Sequence, residues 1–521
     1  MSCHPFQIDE VSHSIVEELV ALSPRSAVSL ALCCSSLTDV SLSVLWEQQK
    51  KLSTLVKVLP PDAWAYEETE SPTGQLVGRN LFQCRLVLGT QPSVFQTLLR
   101  NISPEERENL RKYASWMREL EFLEDEDEIS KDVFDLLLRY PHSQPLCPRL
   151  LKLSWMADSI FGGDFVHFLS PQLQEVYLAS SPQTTFSFPH TISALPISSL
   201  KTLRLSLLGG GAVKDAIFSL FGASPVSLTV LEVSHMDQLW DSTWCRVLLP
   251  FSRLRILETD QFPPTMLSQN FPVFFPNLRQ ARFRGPAASR WIYFLSENSG
   301  RTIPSDRGTR SRLVAPLLTL LSCSYDGQLD GTFASCFLVF RHLSSLLLAS
   351  GCNGRGCAFR LTDEDTSRLA THLPGLRRLS LGFVCPHNTC TTTVNSLLVL
   401  STHCKGLHDL QFHFNTRNLA RDMKESFNNP LRRISSPPSR CPLVALDVWL
   451  APLTAEALGG ETFPTLAGFV DIFPNLQRIR FGSHGRSRVQ SCGWQQLDAQ
   501  ISSFQEMRES LPVVFAPRPI R

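Results

Sequence analysis

Cysteine, histidine and glycine are the first places to look for chemistry in this sequence. Cys385-Pro386-His387-Asn388-Thr389-Cys390, with His403-Cys404 further on, offers thiolates and imidazoles, the ligands that zinc prefers. The spacing matches no standard zinc motif, and a loop running into a helix accounts for the same residues. Gly209-Gly210-Gly211 with Lys214 lacks the Gly-x-x-x-x-Gly-Lys-Ser/Thr spacing of a phosphate loop and falls where a strand turns to a helix. Cys33-Cys34 lies in a helical stretch and reads as core rather than as a reactive pair. Ser435 and Ser436 follow Arg432-Arg433, a weak kinase-target context. No serine elbow, metal-binding helix motif or paired-carboxylate context is present. The expectation is a chain that is not an enzyme, with no catalytic residue, no cofactor and no metal.

The side chains that could act instead are charged and aromatic residues set at a fixed offset within a repeated phrase. The phrase is Leu-x-x-Leu-x-apolar, clearest at Leu200, Leu203 and Leu205. It recurs at Leu173, Leu228, Leu278, Leu343, Leu376, Leu407, Leu443 and Leu476, with looser copies starting at Met117, Leu150, Leu254 and Leu318. Its last apolar pair has period two, as a strand with one buried face requires. Successive copies mostly step by roughly 23 to 36 residues, the period of a solenoid. Proline often precedes the phrase, as in Cys147-Pro148, Ser170-Pro171, Phe275-Pro276, Leu373-Pro374 and Phe473-Pro474, and reads as a helix stop. Each unit therefore reads as strand, loop, helix, stop. Thirteen copies in order over 117 to 483 resemble irregular, long leucine-rich repeats.

If i, i+3 and i+5 fill the core, then i+2, i+4 and i+6 lie on or near the open concave sheet. Those positions hold Glu119, Glu121, Glu175, Glu232, Glu258 and Asp260 in the first half, and Arg282, Arg284, Arg378, Arg478 and Arg480 in the second. Tyr177, Gln411, His413 and Trp449 share the face. The expected surface is acidic toward the start and basic toward the end, and Tyr177, Arg282, Arg284, Arg378, Gln411, His413, Trp449, Arg478 and Arg480 are its expected substrate-binding residues. Exposed arginine and aromatic residues are the usual anchors of protein interfaces.

The 521 residues carry a net charge of +1, which argues against general nucleic-acid binding and against attraction to a membrane surface. The apolar run near Phe337 to Ala349 is broken by Arg341 and His342, so no membrane span is expected. The start is polar and lacks a signal-peptide pattern, and the fifteen cysteines are scattered. A reducing, intracellular setting with free thiols follows, cytoplasmic or nuclear.

The first residues have another grammar. Ile8, Val11, Ile15, Leu19 and Leu22 recur at helical spacing, with Val16 and Val20 beside them. Ser23-Pro24 is a break and restart, and second and third helices follow through Val28–Cys34 and Thr38–Gln48. Three short apolar helices leave an apolar face in need of a partner. Residues 56–110 read as a mixed linker, irregular around Pro60-Pro61 and Glu67–Glu70, before Ser103-Pro104-Glu105-Glu106 opens a helix. Residues 284–312 and 415–442 read as surface excursions. Glu124–Glu128 reads as a solvated acidic loop, and Trp494, Leu497, Ile501 and Phe504 as one side of a terminal helix.

The stretch IVEELVALSPRSAVSLALCCSSLTDVSLSVLWE resembles an F-box: a first helix, the turn Leu22-Ser23-Pro24, an alanine- and leucine-rich second helix, and Leu45-Trp46. YASWMRELEF and PLCPRLLKLSW also resemble the F-box proteins with degenerate leucine-rich repeats that are abundant in mushroom-forming fungi. The usual Leu-Pro before the first helix is replaced by Ile8-Asp9. The resemblance implies an α/β fold: an F-box-like three-helix domain at 1–55, a linker and helical cap at 56–110, a curved leucine-rich-repeat solenoid at 111–483, and a cap helix with tail at 484–521. It implies a Skp1-like linker protein bound through Ile8, Ile15, Val16, Leu19, Val20, Leu22 and Pro24, and a cullin complex beyond it. The repeats would hold a protein substrate, and the chain would be a monomer within a hetero-complex that binds neither nucleic acid nor membrane. The alternative is a repeat scaffold outside any ligase, with the N-terminal helices as a cap.

Overall fold

A four-residue turn starts the repeats. In the computed structural model, the leucine that opens a phrase donates its N–H to the carbonyl three residues earlier: Leu150 to Cys147 at 3.1 Å, Leu278 to Phe275 at 3.1 Å, Leu376 to Leu373 at 3.1 Å and Leu476 to Phe473 at 3.0 Å. Pro148, Pro276, Pro374 and Pro474 occupy the second place of these turns, where the locked φ of proline fits. Leu343 and Leu407 make the same turn onto Phe340 and Cys404 with Arg341 and Lys405 in that place. The turn thus belongs to the repeat, and proline only favours it.

The structure describes residues 9–69, 93–123, 129–138, 145–156, 164–180, 193–196, 198–207, 220, 227–234, 253–260, 275–285, 287–299, 317–325, 329–351, 360–384, 391–428, 441–449, 453, 458, 462–481 and 492–510. It divides into two units, Met1–Leu239 and Trp240–Arg521.

The first unit opens with helices α1 (Asp9–Leu22), α2 (Pro24–Cys33), α3 (Thr38–Glu47) and α4 (Leu52–Val56). Strands β1 (Trp64–Thr69) and β2 (Ser93–Leu98) pair antiparallel, so Glu67, Glu68 and Thr69 are not irregular as the sequence reading had them. Strand pairing outweighs the poor strand propensity of the two glutamates. Helix α5 (Pro104–Trp116) follows, then β3 (Glu119–Leu123), α6 (Lys131–Leu138), β4 (Lys152–Met156), β5 (Glu175–Ser180), β6 (Thr202–Leu207) and β7 (Val230–Ser234). β3 to β7 form consecutive parallel pairs.

The second unit holds β8 (Ile256–Thr259), β9 (Gln280–Arg284), α7 (Ala287–Ser299), β10 (Leu320–Tyr325), α8 (Gly331–Ser335), β11 (Ser345–Gly351), α9 (Asp363–His372) and β12 (Arg378–Val384). It continues with α10 (Val394–His403), β13 (Asp409–Gln411), α11 (Leu419–Asn428), β14 (Ala445–Trp449), α12 (Thr462–Ile472), β15 (Arg478–Phe481) and α13 (Cys492–Ser510). β8 to β15 are again parallel and paired in chain order. Each of the thirteen phrases has become one parallel strand, the arrangement of an α/β repeat fold.

The core positions are as the alternation requires. Residues i, i+3 and i+5 of every phrase are buried except Phe481, which is half-buried. Aromatics thicken this core. Phe122 stacks on Trp155 with centroids 4.3 Å apart in the first unit, and Phe283 on Trp291 at 5.1 Å in the second. The second contact corrects the reading of 284–312 as a surface excursion, because Trp291, Ile292 and Leu295 on α7 are fully buried. Part of 415–442 is likewise packed: Leu419 and Met423 of α11 lie in the core. In both cases a helical apolar stripe seats an extra helix against the sheet.

Polar side chains tie one repeat to the next. Ser170, Ser199 and Ser227 donate their hydroxyls to the carbonyls of Pro148, Leu173 and Leu200, at 2.6, 2.9 and 2.7 Å. Such bonds satisfy carbonyls that the turns would otherwise leave bare. Helix starts follow the sequence signals. Ser103 and Glu106 form a reciprocal cap on α5, as do Thr362 and Asp365 on α9.

Candidate protein-interaction surfaces

Two surfaces are built differently. On the first, α1, α2 and α3 pack around Val16, Val20, Ala27 and Val44, with Leu19, Leu30, Val40 and Leu45 against them. So small a core cannot cover every apolar residue of three short helices. Leu22 and Leu32 are each 83% exposed, and Val11, Ile15 and Val28 are exposed beside them in sequence. The Leu22-Ser23-Pro24 turn accounts for the first. Ser23 donates its N–H to Leu19, closing α1, and its extended backbone lets α2 restart at Pro24. Pro24 is itself exposed.

The expected linker-binding residues therefore separate. Ile15, Leu22 and Pro24 are presented outward, and Leu19 is half-buried against the helix core. Val16 and Val20 are core residues and cannot meet a partner, which corrects their place in that set. The cause is periodicity: in a helix packed on two others, the inner stripe is consumed by its own domain. Ile8 lies outside the described residues.

This helical segment is fixed to the first repeat. Lys112 pairs with Asp39 at 2.9 Å, Arg118 with Glu47 at 2.8 Å and Lys50 with Glu119 at 2.9 Å. The bond to Glu119 raises the pKa of Lys50. Trp46 lies 5.0 Å from Tyr113, centroid to centroid. The carbonyl of Lys50 accepts the N–H of Glu121 at 2.8 Å, closing a donor on β3. A second knot lies nearby. Arg100 pairs with Asp62 and with both oxygens of Glu106, and its guanidinium pulls the Glu106 carboxyl down to about 2.

The second surface is the polar face of each sheet. In the first unit the cross-strand row is Glu121, Ser154, Tyr177, Arg204, Glu232. Arg204 pairs with Glu232 at 3.2 Å, and Lys152 stands between Glu119 and Glu175. Cations interleave with the acids, which corrects the expectation of an acidic first half. Tyr177 is half-buried, and burial raises its hydroxyl pKa.

In the second unit the row runs Glu258, Arg282, Ser322, Leu347, Ser380, Gln411, Asp447, Arg480. Arg282 and Arg284 both close on Glu258, which is buried between them rather than open on the face. Arg378 pairs with Asp409 at 3.0 Å, and Gln411 accepts from the Ser380 hydroxyl. Arg478 and Arg480 are exposed, and among the described residues no ion pair joins either. The side chain of Trp449 lies outside the described residues.

His413 is not on this face; it is 2% exposed. β13 ends at Gln411, and the chain turns inward there. The N–H of Phe412 reaches the Asp447 carbonyl at 3.0 Å, and the carbonyl of His413 accepts the Thr392 hydroxyl at 2.9 Å. The i+6 offset needs a longer strand than this one.

Cys385, His387 and Cys390 lie outside the described residues, as do Gly209–Gly211, Lys214, Ser435, Ser436 and Glu124–Glu128. Cys404 is buried, and its thiol, pushed up to about 12 by burial and held toward the Leu373 carbonyl, is a poor zinc ligand. Cys33 is exposed and Cys34 half-buried at the end of α2, so this pair is not core. His13, Glu17 and Glu47 bring ligand atoms within 4.8 Å of one another, a cluster the sequence reading missed although His13 and Glu17 stand one helical turn apart. Arg118, just before β3, already pairs with Glu47 of α3 at 2.8 Å, and His13 stands 3.4 Å from Glu17 within α1.

No protein-family model matches this chain, and no curated protein does. Among solved structures it is similar to a chain in the crystal structure of the Rad7 and Elc1 complex in yeast, at 16% sequence identity and a TM-score of 0.35, covering 63% of this chain and 82% of that one.

Proposed function

We propose that this chain is a substrate-recognition adaptor of a Skp1-cullin-F-box type ubiquitin ligase. The observation that carries the reading is the pair Leu22 and Leu32, each 83% exposed on a helical segment fixed by ion pairs to α5, to Arg118 and to the first repeat strand. Burying a leucine side chain is worth roughly 1.5–3 kcal/mol, so two of them, with Ile15 and Val28 beside them in sequence, supply an anchor for a Skp1-like partner. The resemblance of Ile15 to Glu47 to an F-box supports the same choice of partner. In this reading the adaptor does no covalent chemistry. It holds a protein substrate on its polar sheet face, near a charged ubiquitin-conjugating enzyme reached through the cullin, and acts by effective concentration. It works as the single copy of its kind in the complex, in the cytoplasm or nucleus.

The test is co-purification of the full chain with a Skp1 protein, against a Leu22→Asp/Leu32→Asp variant. The proposal expects capture by the native chain and loss in the variant. A scaffold whose N-terminal helices only close the edge of β3, as the bond from Glu121 to Lys50 permits, expects no capture by either.

A further inference from the structure

The arginines of the second unit divide into answered and unanswered ones. Arg282 and Arg284 are spent on Glu258, and Arg378 on Asp409. Arg478 and Arg480 stand exposed on β15 with no ion-pair partner among the described residues. We infer that Arg478 and Arg480 form a docking site for a short, extended, carboxylate-rich segment of a partner protein. Calling that partner the substrate rests on the adaptor reading; the site itself does not.

Three features define the occupant. The two arginines are i and i+2 on one strand, so their Cα atoms lie about 6.5–7 Å apart and on the same face. Acidic residues at alternate positions of an extended peptide have the same spacing, and each guanidinium can grip one carboxylate in a bidentate fork. The main chain of β15 is not an equal attraction. The N–H of Ile479, which lies between the two arginines, donates to the Asp498 carboxylate of α13 at 2.6 Å. That donor is closed to an added strand, so recognition falls to the side chains.

A long polyanion fits less well. Asp447 is the residue paired with Arg480 on β14, and Asp409 lies across Ala445 from Arg478. A nucleic-acid backbone crossing from β15 toward β13 would meet both carboxylates, whereas a short peptide confined to β15 would stay clear of Asp409 and pass only Asp447.

The experiment uses the full chain and fluorescence anisotropy. The probes are a labelled octapeptide alternating Glu and Ser, and a labelled oligouridylate carrying the same number of charges. The peptide should bind, and added salt should weaken it. Arg478→Glu/Arg480→Glu should weaken it about tenfold, since exposed pairs are individually weak. Arg478→Gln/Arg480→Gln, which removes charge without reversing it, serves if the first variant loses its circular dichroism, and should still weaken binding several-fold. Arg282→Ala should weaken it less than about twofold. Absence of peptide binding, equal effects of the Arg282 and Arg478/Arg480 variants, or tighter binding of oligouridylate would each overturn the inference. Skp1 capture by the same preparations is read separately, so the two proposals fail independently.

Discussion

The N-terminal helices and the polar faces of the sheets treat exposed side chains in opposite ways. The helices leave large apolar groups bare: Leu22, Leu32, Ile15, Val28 and Val11. The sheets answer most of the charges they display, Arg204 with Glu232, Arg282 and Arg284 with Glu258, and Arg378 with Asp409. A contiguous patch of bare apolar side chains points to a partner, whereas an exposed charge already paired is worth little to binding. The difference shows that a residue's place in a repeat does not decide its availability. The ion pair it forms, or does not form, decides that: Arg282 closes on its cross-strand neighbour Glu258, whereas Arg480, in register with Asp447, makes no ion pair among the described residues.

Several substitutions would break or sharpen this contrast. The largest effect is expected within the helices. Val16→Asp puts a charge in the core shared with Val20, Ala27 and Val44 and should unfold the segment, whereas Leu22→Asp, one helix face away, should leave its circular dichroism unchanged. In the sheet of the first unit, Leu203→Ala should cost about 2–5 kcal/mol by urea unfolding, because Leu203 is fully buried in the repeat core. Glu258→Gln should be milder, about 1–3 kcal/mol, since it leaves Arg282 and Arg284 without their shared carboxylate. The same unfolding curve for Glu258→Gln and the native chain would mean the pairing is ornamental.

The smallest effect is one of pH. Arg100 holds the Glu106 carboxyl at about 2, below its ordinary value, so the folded state favours the ionised form. This contribution is present in full above the ordinary carboxylate range and is lost as pH falls from about 4.5 toward 2. Acid titration followed by tryptophan fluorescence should show a shallower loss in that window for Glu106→Gln. Identical profiles would contradict the assignment.

The sequence made the repeat architecture legible because a two-residue period and a fixed turn leave leucine few alternatives. Every phrase from Met117 to Leu476 found its strand. It made the helix starts at Ser103 and Thr362 legible for the same local reason. The electrostatics of the face were not legible. Register decides that Arg282 meets Glu258 and that Arg378 meets Asp409, and no single repeat contains both partners. His413 was misplaced because the fixed offset assumed a strand longer than Asp409–Gln411. Val16 and Val20 were misassigned because an apolar stripe does not say which of its residues serve the core and which a partner. The strands β1 and β2 were missed because pairing across a long connection leaves no local signature.

The most direct test of the account is the capture of a Skp1 protein by the full chain and by Leu22→Asp/Leu32→Asp, with both shown to be folded. The account predicts stable capture by the native chain and at least a hundredfold loss in the variant, the scale set by two buried leucines at roughly 1.5–3 kcal/mol each. Capture that survives the double substitution, or its absence from a folded native chain, would contradict the claim that these helices are a partner-binding surface.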